Sequence, residues 1–536
     1  MKHRISAPRG LILGLAALAT ATLSNASTAL GNDPFSPGER WQYAPAPGAA
    51  WIPSRASFAA RGNLAWAAAP GGDGRLMALD LSQEGSVTPR YIDMGISLAS
   101  GTVEAVAGSG TNALFALAQY PAPTLYQRRT EITAHGVVAA GTPFAPRWTH
   151  DLGLLANGPA LVACDLSGDL VLAAAWDNSK GQVRVDWLNG ATGALIARTD
   201  VPGAGLDGLK VSTDGKRVAL AAGLALYIFD GAGTLLHQEA LSAATRAMSL
   251  SGDGSTVLIG GFGQLSILRD GNAGWQFVQH LFAPPTEIAT RADLSEDGST
   301  IAIGWWNYAT GTDLRFEVWD GTSFQRTHEI IQIGAPGGLQ NLPESVVVSP
   351  SGQRIALGSW GNGSSDPEVI LLDRDQPQSV LEIDLPGSLR SLDLDESGTR
   401  LLVASKDTHA NNFSTTGSLR LYDTGERSLQ VVEPVEVGGN LHLAARNPAA
   451  LFAFFILGER AATPVQIAGV GGTLLLERTS LFLITPRATD ATGRADLIYG
   501  LASDPSLVGS QFAAQAAFRL PGALELSAEA VDPLLL

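Results

Sequence analysis

The sequence predicts an all-β protein assembled from repeated four-stranded units. A turn signature built on Ser, Asp and Gly returns about every 46 residues. Glycine and proline are abundant, at 61 and 29 of 536 residues, while charged residues make up only 16%. Short apolar runs bounded by turn residues fill the space between signatures, which is the pattern of half-buried or fully buried strands. Long solvent-exposed helices would need more Lys and Glu, so a helical bundle or coiled coil is excluded. Disorder is excluded too, because 45% hydrophobic residues over this length can bury a large core. The formal net charge is −16, from 35 basic and 51 acidic residues. That balance opposes nonspecific attraction to nucleic acid or to anionic membranes.

The N-terminus carries Lys2, Arg4 and Arg9, then an apolar run from Leu11 to Leu23, then small residues through Ser27-Thr28-Ala29. This is the layout of a secretory signal peptide over residues 1–29, and it predicts an exported protein: periplasmic, cell-surface or secreted. The run is about 13 residues, short of the roughly 20 that a membrane-crossing helix needs. The later stretch Ala449 to Leu457 is shorter still, so no membrane span is expected. Cys164 is the only cysteine, which rules out an intramolecular disulfide, and its place in a strand points to packing. The segment 30–55 precedes the repeats, and its stretch from Trp41 to Trp51 is placed to add a strand to the last unit and close a ring.

The repeat is read most clearly at Val211-Ser212-Thr213-Asp214-Gly215, Leu250-Ser251-Gly252-Asp253-Gly254 and Leu294-Ser295-Glu296-Asp297-Gly298. Degenerate copies follow at Val348-Ser349-Pro350-Ser351-Gly352 and Leu394-Asp395-Glu396-Ser397-Gly398, with another upstream at Asp165-Leu166-Ser167-Gly168. The spacing of these glycines, 39 to 54 residues, suits four short strands per unit. Each signature is followed by an apolar strand b, a variable loop, and a strand c ending in Asn189-Gly190, Asp230-Gly231, Asp270-Gly271, Asp320-Gly321, Asp373 or Asp423. Asp-Gly between apolar segments signals a hairpin, both residues tolerating positive φ. Two weaker units precede, one around Asn63 to Asp80 and one within Val103 to Trp148. A four-stranded unit cannot bury both its faces alone, whereas radial stacking buries them all. The fold class is therefore a seven- or eight-bladed β-propeller over residues 56–434, followed by a small β-sandwich-like domain over 435–536, where the signature stops.

These turns resemble those of bacterial exported β-propellers with S-x-D-G repeats, the WD40-like, YVTN-like and TolB-like types, and Val318-Trp319-Asp320 ends strand c with the WD pair. Leu250 to Ile259 and Leu294 to Gly304 are also similar to FG-GAP-type repeats. The resemblance covers roughly Ala56 to Pro434 and implies the fold, leaving function open because propellers host many unrelated activities. Leu188 to Ile196 resembles the D-x-x-T-G turn of quinoprotein propellers, but it lacks their following tryptophan and the other units do not share it. The stretch from Asp504 to Ser527 is similar to C-terminal β-modules of exported bacterial proteins.

The loops between strands b and c carry the chemistry. Four are long, Trp176 to Gly181, Trp305 to Asp313, Ser359 to Glu368 and Ser405 to Gly417, and their shared place in the repeat puts them on one face. Trp176 and Asp177, Trp305, Trp306, Tyr308 and Asp313, Trp360 and Asp366, and Asp407 and His409 together combine aromatic planes with polar groups. Such a set suits a protein or glycan partner, aromatics stacking and polar groups fixing orientation. The competing reading packs the Trp residues between blades and leaves the Asp residues to satisfy loop backbone. The histidines show no H-x-x-x-H spacing, so no metal is expected, and no G-x-S-x-G elbow or cofactor motif points to catalysis. The sequence therefore predicts a noncatalytic, monomeric binding propeller without cofactor. The alternatives are a hydrolase or YVTN-like lactonase using the same face, or a purely structural envelope protein.

Overall fold

The computed structural model describes residues 37–43, then strands and a few flanking residues up to 156, residues 159–363 without a break, and 366–531 with short interruptions. Residues 1–29, where the sequence predicts a signal peptide, lie outside the described residues. The described chain is β-strand and turn throughout, with no helix among the described residues.

Eight four-stranded antiparallel sheets, here I to VIII, follow one another along the chain. Their first strands, a, are Arg55–Ala59, Thr102–Gly108, Ala160–Cys164, Gly208–Val211, Ala247–Leu250, Glu287–Leu294, Pro343–Val348 and Leu389–Leu394. Strands b are Leu64–Ala68, Ala113–Pro121, Leu170–Asp177, Arg217–Ala222, Thr256–Gly261, Thr300–Asn307, Arg354–Ser359 and Arg400–Lys406. Strands c are Leu76–Asp80, Gln127–Gly136, Gln182–Asn189, Ala225–Asp230, Gln264–Gly271, Asp313–Asp320, Val369–Asp373 and Gly417–Asp423. Strands d of sheets I to VII are Arg90–Ile92, Pro146–Ala156, Leu195–Pro202, Leu235–Ala240, Gly274–Phe282, Gln325–Gln332 and Ser379–Ile383. Sheet VIII takes its fourth strand from the start of the chain, Gly38–Tyr43 pairing with Gly417–Asp423.

The a strands of consecutive sheets lie side by side, and the series returns from sheet VIII to sheet I. Carboxylates rivet it. Asp293 accepts the Ser249 hydroxyl of sheet V at 2.7 Å and the Val348 N–H of sheet VII at 2.9 Å. Asp393 does the same at the join between the two ends of the chain, taking the Ser57 hydroxyl and, at 2.8 Å, the Phe58 N–H. Burial pushes the Asp393 carboxyl up to about 6, although those donors and the Leu394 N–H favour its charged form.

Apolar layers separate neighbouring sheets. Leu172, Val185 and Trp187 of sheet III pack on Leu220 and Phe229 of sheet IV, and Ile267 of sheet V on Ile301 and Trp305 of sheet VI. Strands b and c are thus covered on both faces, which explains their continuous apolar runs, whereas strands d alternate at the outer edge. Low overall charge follows from the same burial. Cys164, on strand a of sheet III, is half-buried against the layer between sheets II and III, with its thiol pushed up by burial.

The two repeated glycines serve different purposes. At the a–b turn Gly168, Gly215, Gly254, Gly298, Gly352 and Gly398 all have φ between 68° and 73°, the left-handed region that favours glycine. The Ser hydroxyl donates to the Asp two residues on, as in Ser212 to Asp214 at 2.8 Å and Ser251 to Asp253 at 2.6 Å. At the c–d turn the sequence expectation needs correcting. Gly190, Gly231 and Gly321 do not have positive φ, and the left-handed position falls later, at Gly193, Gly233 and Phe324. These glycines are required by close approach instead, since a Cβ on Gly190 would sit 1.7 Å from the Gly168 carbonyl oxygen and one on Gly321 2.1 Å from that of Gly298. Gly190→Ala should therefore lower stability by about 1–3 kcal/mol, with no change in secondary structure, when thermal unfolding is followed by circular dichroism.

After sheet VIII, Leu429–Val431, Asn440–Arg446 and Arg494–Gly500 form one sheet, and Leu483–Ala488, Phe452–Gly458, Ala513–Leu520 and Ala523–Val531 another. Leu441, Leu443, Phe455, Leu497 and Phe518 share a core between the two. A short hairpin, Arg460–Gln466 with Thr473–Leu476, packs Leu474 and Leu476 against Ile456 and Ala517.

Candidate functional site

By the order of strands, the b–c and d–a connections emerge on one face, and the residues singled out from the sequence, apart from Trp305, lie at strand ends or loops on that face. The structure changes what several of them offer. Trp305 is not in a loop. It lies within strand b of sheet VI, fully buried between sheets V and VI, and its indole donates to Glu317 Oε2 at 2.8 Å. The other three indoles are half-buried and anchored. Trp176 donates to the Gly203 carbonyl at 3.2 Å, Trp306 to that of Gly311 at 3.4 Å, and Trp360 to Glu344 at 2.7 Å. Only Tyr308 remains exposed, its hydroxyl on the Pro285 carbonyl at 3.2 Å.

The carboxylates divide similarly. Asp177 is buried and takes the Ser179 hydroxyl at 2.6 Å with Lys180 at 3.2 Å, bracing its own loop, while Asp313 accepts the Gly334 N–H at 3.1 Å and so ties its loop to the following d–a connection. Asp366 is half-buried and Asp407 exposed. Trp176 and Asp177 lie at sheets III and IV, Trp305, Trp306, Tyr308 and Asp313 on sheet VI, and Trp360, Asp366, Asp407 and His409 at sheets VII and VIII.

Sheets VII and VIII do form a polar seam. Glu368 is buried at the end of one b–c loop, with Oε2 accepting the Leu385 N–H at 2.6 Å. Its Oε1 lies 3.6 Å from His409 Nδ1, and among the described residues neither of those buried atoms has a hydrogen-bond partner. Burial pushes Glu368 up to about 7, with Asp384 adding to the rise. Asn411 reaches Gln340 at 2.7 Å, tying the last long loop to the sheet VI–VII connection. Gly361, at φ 73°, closes over Glu368, where a Cβ would come 2.1 Å from Oε1. Two other histidine–carboxylate contacts, His150 with Asp186 at 2.8 Å and His442 with Asp496 at 2.9 Å, lie far apart in the chain and are each completed by an arginine. Among the described residues no group of three His, Cys, Asp or Glu side chains is placed to hold a metal ion.

The face also exposes apolar side chains. Leu224 and Phe262 sit at the b–c turns of sheets IV and V, and Tyr308 and Phe413 on the loops of VI and VIII. Phe282 and Ile333 stand where strands d of sheets V and VI end. Phe262 and Tyr308 meet edge to face at 5.8 Å. The sequence did hold a signal for two of these, because Gly223-Leu224 and Gly261-Phe262-Gly263 put a large apolar residue at the tip of a tight turn.

No protein-family model matches the chain, and no curated protein matches it in sequence. Among solved structures, the chain is similar to Sqt1 of Chaetomium thermophilum, a WD40 β-propeller, with a TM-score of 0.51 at 15% identity. The match covers 69% of this chain and 97% of that one, whose structure is bound to the N-terminus of the ribosomal protein L10. The fold is propeller-like. At that identity the likeness speaks for the fold alone.

Proposed function

We propose that the chain is an exported, noncatalytic and monomeric eight-bladed β-propeller with a C-terminal β-sandwich-like domain, and that it binds a protein partner through its b–c loop face. The observation that carries the reading is the exposed series Leu224, Phe262, Phe282, Tyr308, Ile333 and Phe413, all on the face where the repeat gathers its variable loops. Apolar side chains standing clear of a polar rim mark protein interaction surfaces. Half-buried, anchored indoles are poorly presented for stacking on sugars, which favours a protein over a glycan. A propeller of similar fold bound to a peptide terminus supports the same choice. The eight sheets, closed by Gly38–Tyr43, support the blade number, and the signal-peptide pattern of residues 1–29 supports export.

The test compares the exported protein with a Phe262→Ser/Tyr308→Ser double variant, by cross-linking mass spectrometry in its native envelope fraction and by a glycan array. A defined protein cross-linked to the b–c loops should be lost from the variant, whose melting temperature should stay within about 2 °C because exposed side chains contribute little to stability. Loop-dependent glycan binding without a cross-linked protein would overturn the proposal.

A further inference from the structure

A cleft of about 190 Å³ opens on this same face between sheets IV and V. Leu241 of the d–a connection lines one side, Phe262 and Phe277 line the other, and Gln264, Ser266 and His280 form its polar part. The polar part is fixed. Strands c and d pair Ser266 with His280, and Gln264 stands two residues earlier on the same side of its strand. The Gln264 amide donates to His280 Nδ1 at 2.8 Å and to Ser266 Oγ at 2.8 Å, and Ser266 Oγ lies 2.9 Å from Nδ1. With the Gln264 amide nitrogen as donor, Nδ1 accepts, which leaves Nε2–H as the donor of the ring. No protein group among the described residues accepts that proton. The rings of Phe277 and Phe282 flank the imidazole at 5.2 and 6.2 Å and hold its orientation.

We infer that this cleft is an anchor pocket for one neutral apolar side chain of the partner, with His280 Nε2–H donating to a carbonyl oxygen of the same segment. The inference rests on reading this face as protein-binding. Volume limits the occupant, since pockets for drug-sized ligands run to roughly 300–1,000 Å³ and this one accommodates a single side chain with its adjoining amide. Charge selects it. No Lys, Arg, Asp or Glu lines the cleft, so neither a carboxylate nor an ammonium group would find a counter-charge. Desolvating an uncompensated charge is costly, while a carbonyl needs only the donor that is present.

Three probes of one shape test this by saturation-transfer NMR on the full chain: N-acetylphenylalaninamide, 3-phenylpropionate and phenethylamine. The neutral amide should bind in about the millimolar range, and the two ions about tenfold more weakly or not at all. His280→Phe should weaken the amide about tenfold, and Ala243→Tyr, which puts a bulky side chain on the lining of the cleft, should abolish its signal. Leu235→Ser, on the outer strand of sheet IV, should leave binding unchanged. Equal binding of all three probes, no binding of the amide, or indifference to both cleft variants overturns the inference. Such a failure leaves the wider surface untouched if the Phe262→Ser/Tyr308→Ser variant still loses a protein partner. Amide binding with no protein partner for the face would sink the wider reading and leave the pocket standing.

Discussion

Trp305→Ala should destabilise the protein by about 3–5 kcal/mol, the cost of emptying a fully buried indole site that the backbone cannot collapse to fill. The side chain packs among Leu265, Ile267, Ile303 and Ala289 between sheets V and VI. Its loss also removes one donor from Glu317, a buried carboxylate that further holds the Trp319 indole at 3.2 Å and the guanidinium groups of Arg315 and Arg326. The Arg315 guanidinium lies over the Trp305 ring at 5.8 Å, so the cation loses a favourable aromatic face as well. Trp305→Phe keeps most of the buried surface and should cost roughly 1–2 kcal/mol, mainly the indole hydrogen bond. Urea unfolding of the three proteins measures the series. The contrast with Tyr308→Ser is informative, because that exposed residue should change partner binding and leave the unfolding midpoint nearly where it was. A Trp305→Ala protein that unfolds like the wild type would show that the indole is not a core residue at all.

That contrast locates what could be read in advance. The Ser-Asp-Gly turns were legible because their chemistry is local: a Ser hydroxyl bonded to an Asp two residues away and a glycine in the left-handed region need only a few consecutive residues. The c–d glycines were visible for the wrong reason, since their requirement comes from the a–b turn of the same sheet, a contact that sequence spacing does not encode. Trp305 and Trp306 illustrate the limit for the site. Adjacent strand residues point to opposite faces, so one indole had to meet one neighbouring sheet and one the other, yet only the bounds of strand b decide that neither is a loop residue. Phe262 and Leu224 carried no polar companions and so matched no site pattern, although exposed apolar tips are what the folded face presents. His280 was invisible because its partners Gln264 and Ser266 sit on the adjacent strand, and only the strand pairing brings them together.

Stability should fall as pH rises from about 4 to about 7, and the two carboxyls with the largest upward displacements give the reason. Asp393 has an ordinary value of 3.8 and is held near 6 at the join of sheets VIII and I, while Glu368 moves from 4.5 to about 7 at the seam of sheets VII and VIII. Between the ordinary and folded values the native state keeps a proton that the unfolded chain has released. The contribution is therefore complete below the ordinary value and is lost as pH climbs through the folded one, at about 1–3 kcal/mol for each group. Asp207 and Glu296, also raised by burial, act in the same direction. Opposing groups do not blur this window. Asp214, Asp230, Asp297, Asp320 and Asp496 are lowered, so their stabilisation is already complete once pH exceeds the ordinary carboxylate value of 3.8. Asp393 faces Asp293, and Glu368 faces Asp384 and His409, so at neutral pH each seam holds a charge that its neighbours only partly compensate. Glu368→Gln supplies a permanently neutral isostere. It should raise the melting temperature at pH 8 relative to wild type, leave it nearly unchanged at pH 4.5, and flatten the decline between them. Asp393→Asn should do the same over a window about one unit lower, with a smaller gain because the amide N–H groups need acceptors that the Ser57 and Phe58 donors do not provide. Differential scanning calorimetry across pH 4 to 8 reads both effects. A wild-type melting temperature that rises through this range, or a slope that survives both substitutions, would mean that the seams carry their charge without strain and that other groups set the pH response.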